Sequence, residues 1–233
     1  MSAERINYFD PEYRASRKRV GQELREFAET QPPSPEPDWG VIWPLVGPEL
    51  TFEEQAPTVT EEAKKTVAYN QTKQRFETAI NLARQVTALR LGKPFVEVTI
   101  ADISQAGPTV YWNGRVEHNE NLAKIVASGD LEKKYHFPVS KILITTSQRI
   151  TNTKDQFEDF PDSILPAQEK LVVVTDLYHL PRSKRYLQKY PNKFPPDRMV
   201  LYPSQPVSLP PKMALRELKN IFPYSKKGDL PPE

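Results

Sequence analysis

The 233-residue chain contains no cysteine. That excludes disulfide staples, thiolate metal sites, iron–sulfur clusters and a cysteine nucleophile, and it fits a reducing compartment. Glycine is scarce, 8 residues against 24 prolines, so flexible phosphate-cradling loops are few. Neither GxGxxG nor GxxxxGK surrounds Gly47, which leaves out a dinucleotide fingerprint and a Walker loop. No HExxH, paired-histidine or carboxylate-rich metal signature occurs, and there is no GxSxG elbow of the α/β-hydrolase kind. His118 and His136 are isolated, so no metal site is expected. No run approaches the roughly 18 apolar residues that span a bilayer, and the first thirty residues lack a signal-peptide apolar core. Charge of one sign is missing as well. Lys plus Arg is 32 against 30 for Asp plus Glu, a net +2 that gives no long-range field for nucleic acid or an anionic membrane. These absences predict a cytoplasmic protein with no membrane insertion and no nucleic-acid partner.

Apolar residues make up 38% of the chain, enough for one good-sized domain with extensions. Residues 11–29 start at Asp10-Pro11, a helix-start signal, and Tyr13, Val20, Leu24 and Phe27 form a narrow apolar stripe among Arg14, Arg17, Lys18, Arg19 and Arg25. The run Gln31–Asp38 holds four prolines and reads as a stiff spacer. Trp39 to Val46 is a buried-strand candidate that Pro44 should end near Trp43. Gly47, Pro48 and Pro57 mark residues 47–58 as a loop, from which Gly47 and Glu49 could close a cleft at the strand end. Thr58 and Glu61 then fit a capping box for one long helix reaching Leu91, with Phe76, Ala79, Ile80, Ala83 and Val86 on one face.

Further strands are expected at 95–103 (FVEVTIADI, alternating), 108–112, 141–145, 171–175 and 199–202. Helices are expected at 119–134, 154–160, 181–189 and 213–222. Leu171–Thr175 is apolar on both faces, as parallel strands are. Strands alternating with helices predict an α/β domain with a doubly wound, mostly parallel, Rossmann-like sheet and an N-terminal helical extension. Residues 1–38 read as the basic helix and proline-rich spacer, and residues 39–233 as the α/β domain.

Ligands of such sheets bind outside the carboxyl ends of the strands, and three loops there carry polar residues. After 171–175 comes Thr175-Asp176-Leu177-Tyr178-His179-Leu180-Pro181-Arg182-Ser183. Pro181 suits a first helical position, which sets His179 and Arg182 around a helix N-terminus, an anion site for phosphate or carboxylate. The bland alternative has His179 capping the helix and Arg182 pairing with Asp176. After 141–145 comes a stretch dense in hydroxyls and amides, Thr146 to Gln156, which either reads a polar ligand or caps a helix. The third loop is Trp112-Asn113-Gly114-Arg115-Val116-Glu117-His118, with a tight-turn signal.

The order of these loops resembles the YdcF/SanA/ElyC-like family of bacterial α/β domains, long of unknown function. The resemblance rests on Gly47, Arg75, Asn113-Gly114, Thr153-Lys154-Asp155-Gln156, the Thr175–Ser183 loop with its His and Arg in register, Glu217, Tyr224 and Gly228-Asp229. It spans about residues 39–230. The chain departs from it with one glycine after the first strand, where a pair is usual. It also has Asn-Gly for Ser-Gly, Asp155-Gln156 for Glu-Asn, and no acidic residue among Thr146, Ser147 and Gln148.

The resemblance implies a small-molecule site at the strand ends, a link to cell-envelope metabolism and S-adenosylmethionine as a candidate cofactor. It assigns His179 and Asp155 as candidate catalytic residues. Gly47, Asn113, Gly114, Thr153, Gln156, Thr175 and Arg182 become candidate ligand-binding residues. The expected function is binding of a nucleotide-like or phosphorylated small molecule, with or without catalysis. The alternative is a non-catalytic scaffold that kept the fold and engages a protein partner through residues 1–38.

Overall fold

A computed structural model of the chain describes residues 10–47, 71–205, 207, 209 and 211–231. Five parallel strands form one sheet: β1 (Trp39–Pro44), β2 (Thr109–Trp112), β3 (Ile142–Ile144), β4 (Lys170–Thr175) and β5 (Met199–Pro203), in the order β3-β2-β1-β4-β5. β1 ends at Pro44 as its sequence predicts, and Leu45 carries the ladder one step on by donating to the Val174 carbonyl at 2.9 Å. The chain winds outward from β1 through β2 to β3, then returns to β4 on the other side. This topology is doubly wound, and the switch in direction falls between the carboxyl ends of β1 and β4.

Alternate strand residues feed two cores. Ile42, Val110, Val172 and Val174 face Phe76, Ala79, Ile80, Ala83 and Val86 of α2 (Gln71–Leu91). Val41, Trp43, Leu171 and Val173 face the opposite layer, with Val20 and Leu24 of α1 (Pro11–Glu29) and Ile221 of α8 (Pro211–Lys226). Asp10 caps α1 by accepting from the Glu12 amide at 2.8 Å, with Pro11 in the first turn. The helix packs along α8, with Tyr13 edge-on to Phe222 at 5.4 Å, and its Glu23 bonds Arg185 of the helix Leu180–Lys189 at 2.7 Å. Its apolar stripe is therefore covered by the chain itself. The proline spacer is pinned to the sheet's start, where Lys170 reaches Glu36 and Asp38 and Arg90 donates to the Pro37 carbonyl.

Two expectations differ from the structure. Residues 95–103 form no strand: a single 3-10 turn at Phe95–Glu97 leads into α3 (Ile100–Ala106). Thr99 and Asp102 form a reciprocal capping box, and Lys93 fixes Asp102 at 2.7 Å. That local chemistry beats the alternating pattern, and Val96 is left 84% exposed. The helix expected at 119–134 starts earlier and breaks into α4 (Val116–Ala127) and α5 (Asp130–Tyr135). Gly129 makes the break with φ +75°, a conformation other residues adopt at a cost. The proposed start of the long helix at Thr58, and the loop with Glu49, lie outside the described residues. The remaining helices are α6 (Thr153–Glu158) and α7 (Leu180–Lys189). Among the described residues no helix is long and apolar enough to cross a membrane.

Candidate functional site

A cavity of about 460 Å³ opens at the switch point. Val46 and Gly47 enter it from the end of β1, Arg115 and His118 from the end of β2, and residues 150–156 from the loop after β3. Tyr178, His179 and Arg182 come from the end of β4, and Met213, Arg216, Glu217 and Tyr224 from α8.

His179 stands at the centre of the β4 contribution. The 3-10 turn Leu177–His179 follows β4 and runs straight into α7. His179 shares a 2.9 Å hydrogen bond through Nδ1 with Thr175 Oγ1, while Nε2 is buried with no hydrogen-bond partner among the described residues. The residue is 5% exposed. Burial, then the positive charges of Arg182 and Arg75, hold its pKa well below the usual histidine range, so the ring is neutral. Continuity of the two helical segments changes the expected anion site. The amides of His179 and Leu180 donate to the Asp176 and Leu177 carbonyls at the start of the turn, so α7 offers no open N-terminus at Pro181.

Arg182 does not pair with Asp176. Its Nη2 donates to Glu217 Oε2 at 2.9 Å, its Nε lies 2.7 Å from Oε1, and the guanidinium sits 5.5 Å over the Tyr224 ring. Burial raises the Glu217 pKa against the pull of Arg182; for Arg182, burial works against the charge but Glu217 and Tyr224 raise its pKa overall. Asp176 belongs instead to Arg75, whose Nη2 donates to it at 2.5 Å while Nη1 donates to the Leu45 carbonyl at 2.7 Å. One guanidinium thus ties the carboxyl ends of β1 and β4 together across the switch point. Ser204 completes Asp176 at 2.6 Å.

The opposite wall is built from amides. Gln156 Nε2 donates to the Val46 carbonyl and its Oε1 accepts from the Val46 amide, both at 3.0 Å. Asn113 lies behind it, accepting from Trp43 Nε1 at 2.6 Å and donating to the Gln156 carbonyl at 2.8 Å. Asp155 caps α6, and its Oδ2 receives the Thr151 amide at 2.8 Å, the Thr151 hydroxyl at 2.6 Å and both nitrogens of Asn152. Gly114 is wedged: a Cβ there would lie 2.7 Å from His118 Cβ and 3.0 Å from Val46.

Of the residues singled out in the sequence, Gly47, Thr153, Asp155, Gln156, His179 and Arg182 line one cavity. Asn113, Gly114 and Thr175 do not line it. Asn113 supports the wall and Thr175 orients His179 from behind. Two cations at the cavity were not selected from sequence, Arg115 and Arg216. Arg115 lies inside the polar loop after β2, a usable signal. Arg216 sits on a helix far from any strand end and carries no sequence signal of its own. Among the described residues no cluster of three or more His, Asp or Glu could hold a metal ion. Set against known protein families, curated proteins and solved structures, the chain matches none of them.

Proposed function

We propose that the protein binds a nucleotide-like or phosphorylated small molecule in the crevice between the carboxyl ends of β1 and β4. The observation that carries the reading is His179: a neutral ring, fixed from behind by Thr175, whose Nε2 is buried at the cavity without a hydrogen-bond partner among the described residues. A buried polar atom left unpaired costs about 1–3 kcal/mol, and a ligand that meets Nε2 removes that cost. The topology supports the same place, since open α/β sheets bind ligands at the switch point. Several positions that carry the resemblance to the YdcF/SanA/ElyC-like family, namely Gly47, Arg75, His179, Arg182, Glu217 and Tyr224, meet at this one cavity, while Asn113, Gly114 and Thr175 lie outside its lining. That convergence supports placing the chain with that family, and with it S-adenosylmethionine among the ligands to test.

His179 is the group in this site suited to hydrogen-bond a ligand as a neutral ring, because burial, Arg182 and Arg75 oppose its charge and Thr175 holds Nδ1. A non-catalytic binding role is the second reading. It is favoured by Asp155, whose Oδ2 is enclosed by four donors from Thr151 and Asn152. The test is thermal unfolding against inorganic phosphate, nucleotides, sugar nucleotides and S-adenosylmethionine, with His179→Ala in parallel. Ligand at a hundredfold over its dissociation constant stabilises the fold by about 2.7 kcal/mol. The expected result is a stabilising ligand whose effect disappears in a still-folded His179→Ala protein. A flat panel would remove the small-molecule reading and leave the scaffold.

A further inference from the structure

We infer that the cavity takes a dianionic phosphate group, free or as a monoester, gripped between Arg115 and Arg216 with His179 as a third, neutral contact. The inference rests on the cavity being the ligand site and says what chemistry it selects.

The argument is a charge balance around one wall. Arg75 is consumed by Asp176 and the Leu45 carbonyl, Arg182 by Glu217, and Lys154 by Asp229 at 2.9 Å. The cavity carboxylates Glu217 and Asp229 are answered by these same partners, and Asp155 turns Oδ2 into its helix cap. Among the described residues, two charges remain without an ion pair facing the cavity, and both are positive. Arg115 spends only Nε, on the Thr151 carbonyl at 2.9 Å. Arg216 makes no hydrogen bond or ion pair among the described residues, although it lines the cavity. Both are exposed, at the mouth rather than the floor.

Their placement matters as much as their number. Arg115 follows β2, and Arg216 comes from α8, which packs on the turn after β4, so they approach from the two flanks of the switch point. Two planar guanidinium forks can each meet a pair of phosphate oxygens, and a phosphate monoester carries about −1.5 to −2 charge at pH 7. In the tautomer in which Thr175 donates to Nδ1, the His179 proton sits on Nε2 and a third phosphate oxygen can accept it. Among the described residues, the sulfonium and ammonium of S-adenosylmethionine would meet no unpaired carboxylate at the cavity, and only its single carboxylate could use the arginines. The same balance therefore favours a phosphate dianion over S-adenosylmethionine.

The experiment is calorimetric titration of the full chain at low ionic strength with inorganic phosphate, adenosine 5′-monophosphate, adenosine and S-adenosylmethionine. Arg115→Gln, Arg216→Gln and His179→Ala are measured alongside. Arg149→Gln, an exposed arginine of the neighbouring loop outside the cavity, removes the same charge and serves as control. The expected result is binding of the two phosphate-bearing probes only, weakened about tenfold or more by each cavity arginine variant and unchanged in Arg149→Gln. Equal affinity for phosphate and the nucleotide would identify the free anion as sufficient, and tighter nucleotide binding would identify the monoester. Binding of adenosine or S-adenosylmethionine that depends on His179 but not on Arg115 or Arg216 overturns the clamp and leaves the cavity standing. Binding of none of the probes overturns both.

Discussion

Thr175 Oγ1 and His179 Nδ1 lie 2.9 Å apart at the point where β4 becomes helix, and both side chains are buried. The bond fixes the imidazole plane and aims Nε2 at the cavity. Burial, Arg182 and Arg75 all oppose a charge on this ring. His179 should therefore not titrate in its ordinary range, and its ring signals in NMR should stay at their neutral positions as pH falls through 6.5. The stability consequence has a definite sign. The folded pKa lies below the unfolded one, so as pH falls below about 6.5 the unfolded chain takes up the proton first and the fold loses stability. The loss deepens until the folded pKa is reached and is constant below it. His179→Asn should reduce the stability difference between pH 7 and pH 5 measured by urea unfolding; an unchanged difference would mean that the ring titrates normally.

The Arg182–Glu217 pair is buried on the glutamate side, with Glu217 1% exposed, and half-buried on the arginine side. Removing one partner leaves a buried charge without its answer, which costs about 3–5 kcal/mol, whereas replacing both by apolar residues is often neutral. Arg182→Met alone should destabilise the protein by about 3 kcal/mol, and Arg182→Met with Glu217→Met should recover most of it. A double-mutant cycle by chemical denaturation reads the coupling. If the two single costs simply add, the pair contributes nothing as a pair.

Arg75 bridges the Leu45 carbonyl and Asp176 with two different nitrogens. A lysine keeps the charge but presents one ammonium where a fork is needed. Arg75→Lys should cost about 1.5–3 kcal/mol in unfolding free energy. It should also weaken ligand binding, because Asp176 and the turn after β4 would lose their side-chain tie to the end of β1 at the mouth of the crevice. A variant of wild-type stability would show that the fork is dispensable.

The parts of this architecture that were legible in the sequence are those decided locally. β1 and β4 are short, apolar on both faces and bounded by proline or polar loops, and both appear where expected. The same local reasoning misread residues 95–103, where alternation suggested a strand but Thr99 and Asp102 close a capping box. The site was legible as a set of strand-end loops, because topology alone brings those loops together. Its wiring was not. Glu217 lies 35 residues from Arg182, and nothing in either segment announces the pair. Asn113 was singled out as a polar group at a strand end, yet Trp43 and Gln156 claim its amide. Arg216 faces the cavity because α8 packs against α1 and the turn after β4, contacts fixed by tertiary structure.

Leu24 tests whether α1 is an appendage or part of the domain. It is buried in the same core cluster as Trp43, Val173 and Ile221, although a proline spacer separates its helix from β1. A helix that merely docks on an already stable domain would melt alone, and truncating its stripe would leave the main transition where it was. A helix that completes the second core must unfold with the sheet. Leu24→Ala should therefore lower the stability of the single cooperative transition by about 2–5 kcal/mol, the cost of a buried leucine truncation. It should also expose the apolar side of α8 to a hydrophobic dye. A separate low-temperature transition, with the main one unmoved, would restore the picture of residues 1–38 as an independent segment open to another partner.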